Sequence, residues 1–175
     1  MNKNKKGYVQ VYTGDGKGKT TAAIGLAIRA AGAGLNVYIA QFVKMGEYSE
    51  IKALKRFSDK ITLEQYGFGC FIKRSPSKKD MQIARKGLKM VKNVIFSDQF
   101  DVVILEEANI AVKYGIISIH ELSDIIITKP ANIELVITGR YASPRIIELA
   151  DLVTEMKVVK HYYQKGVKAR VGIEK

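Results

Sequence analysis

The segment Thr13-Gly-Asp-Gly-Lys-Gly-Lys-Thr-Thr21 constrains this chain more than any other. An apolar-leaning run, Tyr8 to Tyr12, leads into it, and an Ala-rich helical pattern, Thr20 to Ala33, leads out. Strand, Gly-rich loop, helix is the order that a phosphate-binding P-loop requires. Glycines let the backbone wrap so that several N–H groups point at one anion. The helix N-terminus adds partial positive charge. Gly14, Asp15, Gly16, Lys17, Gly18, Lys19, Thr20 and Thr21 are therefore the candidate nucleotide-binding residues. Lys19 is placed to neutralise phosphate, and Thr20 to offer a hydroxyl to a magnesium ion.

The loop departs from the usual pattern of Gly, four residues, then Gly-Lys-Ser/Thr. Counting back from Gly18 puts Thr13 where the first glycine belongs. The nearest glycine is Gly14, so the glycine spacing is one residue short. A shorter loop curves differently around a polyphosphate. A plain flexible linker fits poorly, because Lys17, Lys19, Thr20 and Thr21 follow in motif order.

With 175 residues the chain is expected to form a single domain, 1–175, large enough to bury a core. A hydrophobic content of 47% argues against disorder. The single cysteine, Cys70, cannot form an intrachain disulfide. Met1 to Lys6 is charged, Gly7 to Tyr12 is too short for a signal peptide's apolar region, and no run approaches a membrane span. A cytoplasmic setting with no membrane partner is expected. The net charge of +12 admits a nucleic-acid reading, but the positive residues are scattered over helix faces and no nucleic-acid motif is present. A lysine-rich surface serving a polyanionic small substrate is the preferred reading, with no nucleic-acid partner.

Strand and helix patterns alternate, which predicts an α/β fold with a mainly parallel sheet flanked by helices. Strands are expected at Tyr8–Tyr12, Asn36–Phe42, Ile61–Tyr66, Asp101–Leu105, Glu134–Thr138 and Leu152–Val159. Helices are expected at Thr20–Ala33, Ser49–Phe57, Asp80–Ser97, Ile119–Ile127 and Pro144–Leu149. Met81, Ala84, Leu88, Val91 and Ile95 give the clearest apolar stripe. Ser143 and Pro144 suit an N-cap and first helical position. The tail from Lys160 to Lys175 is basic and lacks strong periodicity.

In open parallel sheets, ligands bind beyond the carboxyl ends of the strands. Those ends should carry the P-loop, Gln41 to Lys44, Gly67 to Phe71, Glu106-Glu107 and Gly139-Arg140. Paired acids after an apolar strand suit a magnesium site beside a P-loop, since magnesium takes hard oxygen ligands. The alternative is that the same acids only cap the next helix with negative charge, and the P-loop favours the metal over it. Arg140 is placed to clamp a phosphate, or to form a surface ion pair. His120 sits in a helix pattern, and no Cys/His metal spacing surrounds His161. Phe68 and Phe71 are aromatic residues in a glycine-containing loop; they suit core anchors or the lining of a flat hydrophobic ligand.

Four blocks resemble the P-loop type of corrinoid adenosyltransferase. They are Thr13 to Ala23; Gln41-Phe-Val-Lys44; Val102-Val-Ile-Leu-Glu-Glu107; and the run from Leu135-Val-Ile-Thr-Gly-Arg140 to Gly172-Ile-Glu174. The last includes Ala142-Ser-Pro144, Val159-Lys-His161 and Gly166-Val-Lys-Ala-Arg170.

The resemblance implies transfer of the 5′-deoxyadenosyl group of ATP to Co(I) of a reduced corrinoid, with triphosphate as leaving group. It implies a RecA-like P-loop fold, a homodimer, a flavoprotein reductant, and Mg²⁺ (or Mn²⁺) held by Thr20 and Glu107. It also implies ATP bound in reverse, its terminal phosphate deep in the shortened loop. Lys19 and Arg140 become the catalytic residues, stabilising the leaving triphosphate together with Lys17. Phe68, with Phe71 second, becomes the residue that keeps cobalt free of its lower ligand. The chain departs from the family in reading Glu106-Glu107 where Asp-Glu is frequent, and in containing no Trp. Only Met1 to Gly7 precedes the first strand, so an N-terminal cap over a partner's site is expected to be reduced or absent. The rival readings are a P-loop kinase or ATPase, and a nucleotide-dependent nucleic-acid-binding module.

Overall fold

A computed structural model describes residues 6–67 and 76–174. Phe68, Cys70 and Phe71 lie outside the described residues. Six parallel strands form one sheet: β1 (Val9–Thr13), β2 (Val37–Phe42), β3 (Ile61–Tyr66), β4 (Val102–Glu106), β5 (Glu134–Thr138) and β6 (Leu152–Glu155). Their spatial order is β3-β2-β4-β5-β1-β6. The helices are α1 (Lys19–Gly32), α2 (Ser49–Leu54), α3 (Lys78–Ile95), α4 (Ala108–Lys113), α5 (Ile119–Thr128) and α6 (Pro144–Leu149).

The sheet is covered on both faces, which is why its central strands are continuously apolar. Alternate residues of one strand serve different cores. Val37 and Ile39 of β2, Val102 and Ile104 of β4 and Val136 of β5 pack with Ala23, Ala27 and Ala30 of α1. Tyr38, Phe42, Val103, Leu105, Leu135 and Ile137 face the opposite core, which α3, α5 and α6 complete. The small side chains of α1 let that helix lie close to the sheet. The α3 stripe buries Ala84, Leu88, Val91 and Ile95, with Gly87 against the ring of Tyr66.

Capping chemistry fixes where helices begin. Ser77 and Asp80 form a capping box before α3, and Ser118 and Glu121 form another before α5. Ser143 caps α6 with Pro144 in the first turn.

Three local expectations shift. The helix expected to reach Phe57 is α-helical only to Leu54 and ends in a 3₁₀ turn, Lys55–Phe57. The last strand stops at Glu155 rather than Val159. There the chain turns so that the Met156 carbonyl accepts from Gly16 N–H at 2.6 Å, which draws it onto the P-loop and off the sheet edge. The six-residue α4 has no counterpart in the sequence-based reading; it is too short to display a helical period.

Candidate active site

The strand ends gather one polar edge. β1 leads into the P-loop, and β5 separates β1 from β4, so the loop and the two glutamates stand on either side of one strand. Backbone turns at this edge are unusual. Gly14 (φ 91) and Gly18 (φ 119) are left-handed, and Val43 (φ 68), Glu107 (φ 59) and Tyr141 (φ 61) adopt this region without being glycine. Such conformations persist only where surroundings enforce them and cluster at functional sites.

The P-loop is held from outside. A Cβ on Gly14 or Gly16 would lie 2.5 or 2.6 Å from the Met156 carbonyl oxygen, so only glycine permits this approach. Lys19 is buried, and its ammonium donates to the Gly14 carbonyl at 2.6 Å and the Gly16 carbonyl at 2.7 Å. Burial, reinforced by Arg140, holds its pKa below the ordinary lysine value. An arriving polyanion would reverse that bias.

Thr20, the second residue of α1, donates its hydroxyl to Glu106 Oε1 at 2.5 Å. Glu106, the last residue of β4, is 2% exposed, and its Oε2 has no partner among the described residues. Glu107 is next, turned by its left-handed backbone; its N–H donates to the Thr138 hydroxyl at 3.0 Å. Burial raises the Glu107 pKa, with Glu106 adding to the effect and Lys44 opposing it. Lys44 joins both acids: Nζ lies 3.1 Å from Glu106 Oε1 and 3.7 Å from Glu107 Oε1. Burial would lower the Lys44 pKa, but the two carboxylates outweigh it and raise it.

A hydroxyl, a buried carboxylate with a free oxygen and a second carboxylate form a donor set that fits a hard divalent ion. Among the described residues no cluster of three His, Cys, Asp or Glu exists. Magnesium commonly keeps several waters and takes one or two carboxylates plus phosphates, so this smaller set suffices.

Other expected residues are placed differently. Arg140 is half-exposed at the end of β5, with Nε 4.0 Å from Asp15 Oδ1. Lys17 turns away from the loop interior: Nζ lies 2.8 Å from Glu174 and 3.1 Å from the Tyr162 hydroxyl. Glu174 also pairs with Arg170 at 3.1 Å, so four side chains tie the tail to the P-loop. His161 Nδ1 accepts from Tyr163 N–H, a local cap. His120 lies in the first turn of α5 and is exposed. The sequence reading placed Lys44 among the strand ends and Glu174 in the last family block, but gave neither a role nor a partner. The signal for Lys44 was its place after a buried strand; nothing local marked Glu174 as the partner of Lys17.

The family model for ATP:corrinoid adenosyltransferase BtuR/CobO/CobP matches residues 5–174. A corrinoid adenosyltransferase of Pseudomonas aeruginosa is 34% identical, covering 98% of this chain and 85% of that protein. The corrinoid adenosyltransferase of Escherichia coli K12 is also 34% identical, covering 98% and 87%. Among solved structures, a KaiC-like protein of Pyrococcus horikoshii superposes with a TM-score of 0.55 over 86% of this chain and 72% of its own. At 11% identity that likeness shows the fold alone: a RecA-type P-loop sheet.

Proposed function

This chain belongs to the ATP:corrinoid adenosyltransferase family BtuR/CobO/CobP, and from that premise we propose how its polar edge performs adenosyl transfer. The supporting observation is the meeting of Lys19, Thr20, Glu106 and Glu107 around one space beyond β1 and β4. The reaction moves the 5′-deoxyadenosyl group of ATP to Co(I) of a reduced corrinoid. Cobalt's electron pair forms the bond to the 5′ carbon; the bond from that carbon to oxygen breaks, and triphosphate leaves with its electrons.

Co(I) is itself a strong nucleophile, so the protein needs no activated side chain. Its residues must align two substrates and stabilise a departing polyanion. Alignment contributes up to about 7–11 kcal/mol in favourable cases. Lys19, lodged beneath the loop, meets the triphosphate, and the N–H groups of the loop and of α1 surround it. Arg140, half-exposed beside Asp15, closes on the polyanion from the β5 side. ATP lies reversed, with its terminal phosphate deep in the shortened loop.

Thr20 and Glu107 hold Mg²⁺, and Glu106 orients the Thr20 hydroxyl. The ion supplies charge neutralisation for the leaving triphosphate. The role of keeping the corrinoid's lower ligand off cobalt falls, by the family resemblance, to Phe68, with Phe71 second; both lie outside the described residues. A flavoprotein supplies electrons, the enzyme works as a cytoplasmic homodimer, and its positive surface serves anionic substrates rather than nucleic acid. Among the described residues no helix is long and apolar enough to cross a membrane.

The deciding experiment combines the protein with ATP, Mg²⁺ and chemically reduced cobalamin. A light-sensitive adenosyl-cobalt product together with triphosphate is expected. Release of ADP without a cobalt–carbon product would replace this reading with phosphoryl transfer.

A further inference from the structure

The Lys44 ammonium stands where the proposed metal ligands converge. Its Nζ is 3.1 Å from Glu106 Oε1, 3.4 Å from Thr20 Oγ1 and 3.7 Å from Glu107 Oε1. The backbone is shaped to put it there. Val43, directly before it, has φ 68, a conformation that β-branched residues rarely take. That turn brings Lys44 over the ends of β2 and β4 instead of out along the strand direction. Its partner Glu106 is 2% exposed and needs a compensating cation.

Lysine suits a transient version of that task. It is a compact point charge on a flexible stem and can swing without moving the backbone. A divalent ion held by Thr20 and Glu107 needs near-octahedral access to their oxygens, and an ammonium 3.4 Å from Thr20 Oγ1 and 3.7 Å from Glu107 Oε1 occupies directions the ion requires. Two like-signed cations at one carboxylate also repel.

We propose that Lys44 is a tethered counter-cation: it holds the acidic pair and the Thr20 hydroxyl, yields them to the divalent ion, and then presents its freed ammonium to the polyphosphate. Charge balance supports the exchange. Two carboxylates beside a phosphate-binding loop would repel ATP, and Lys44 offsets one of them before the metal does so. The inference rests on assigning Thr20 and Glu107 to the metal, with Glu106 orienting the Thr20 hydroxyl.

The test reads Lys44 directly. Unaltered full-length protein is titrated with Mn²⁺, without nucleotide and with inorganic triphosphate, and bound ion is counted by electron paramagnetic resonance. At each point lysines are acetylated briefly and quantified by mass spectrometry. Lys55, an exposed lysine paired with exposed Glu47, serves as the internal standard. Mn²⁺ alone should raise Lys44 labelling several-fold and leave Lys55 unchanged. Lys44→Met should bind Mn²⁺ about tenfold more tightly, within the range by which residues neighbouring a metal alter its affinity.

Saturation by Mn²⁺ with unchanged Lys44 labelling overturns the exchange and leaves the metal site standing. Tighter binding by Lys44→Met without a labelling change overturns it as well, since the loss of a nearby charge then accounts for the gain. Absence of bound Mn²⁺ under both conditions overturns the metal assignment and the inference together. The footprint needs no variant, so poor folding of Lys44→Met does not obscure the answer.

Discussion

Among the described residues, seven buried side chains are polar or charged: Thr13, Lys19, Gln41, Glu106, Asn109, Ser123 and Thr138. All except Ser123 lie at the carboxyl ends of strands or in the turns and helix starts that follow them. The body of the sheet and the helices covering it are closed almost entirely by apolar side chains. Backbone strain is distributed the same way. Of the four described non-glycine residues with left-handed φ, Val43, Glu107 and Tyr141 follow β2, β4 and β5, and Asp98 lies elsewhere. The interior supplies stability through volume and burial, whereas the edge consumes some of it to hold charged groups close together. Mutations in the two regions should therefore fail in different ways.

The largest effect is expected inside. Leu122 on α5 is fully buried, and Leu122→Ala should cost about 2–5 kcal/mol of stability, the range for such truncations. Assayed well below its lowered melting temperature, the folded variant should keep its KM for ATP. A large KM change in well-folded protein would show that interior and edge are not separable.

Lys19→Ala should behave oppositely. Removing the charge beneath the P-loop should lower turnover by about 10²–10³-fold, or about 2.7–4 kcal/mol of transition-state stabilisation. Its melting temperature should stay near that of the parent protein. Near-normal turnover in the folded variant would remove this loop from the reaction.

The same division explains what could be read from the sequence. Strand β5 falls within the expected bounds because apolar runs report burial, and burial dominates the interior. That the P-loop and the acid-tipped strand share one edge was legible too, since a parallel sheet brings these local patterns together, but the sequence pointed Thr20 at Glu107 and its hydroxyl instead donates to Glu106. The role of Lys44 was not legible, because it depends on the left-handed turn at Val43, and nothing in a valine announces positive φ. Nor was the partner of Lys17, as Glu174 lies 157 residues away in a segment without periodicity. The shortening of β6 was hidden for a related reason: Met156 leaves the sheet to meet the loop glycines, a tertiary contact that overrides local strand pattern.

Gly87→Ala gives a finer measure of the interior. An alanine should favour an exposed helix position by about 1 kcal/mol. Here its Cβ would sit 2.5 Å from Tyr66 Cγ, and Tyr66 cannot simply withdraw, because its hydroxyl is tied to Glu64 and Tyr38. Overpacking of about 1–3 kcal/mol should exceed the helical gain. Chemical denaturation should show a net loss; a stabilised variant would mean that α3 can lift off the sheet edge.

The smallest effect is expected where the edge meets the tail. Glu174 accepts from Lys17, Arg170 and Tyr162, and these partners, Arg170 first, hold its pKa below the ordinary 4.5. A depressed pKa means that the anchoring is fully present above that ordinary value and fades as pH falls through the lower, folded one. Glu174→Gln should mimic the acid form at neutral pH. Because its partners Lys17 and Arg170 are about half exposed, the melting temperature should barely move. Hydrogen exchange should instead accelerate across residues 162–174 while α5 and the central strands stay protected. The consequence for the loop separates two roles for Lys17. If its ammonium serves only the tail, the variant should bind ATP as the parent does. If the freed ammonium reaches phosphate, ATP affinity should rise, and the gain should vanish in the double variant Lys17→Met/Glu174→Gln. Unchanged exchange in the single variant would mean that packing of the tail, not this carboxylate, fastens it to the P-loop.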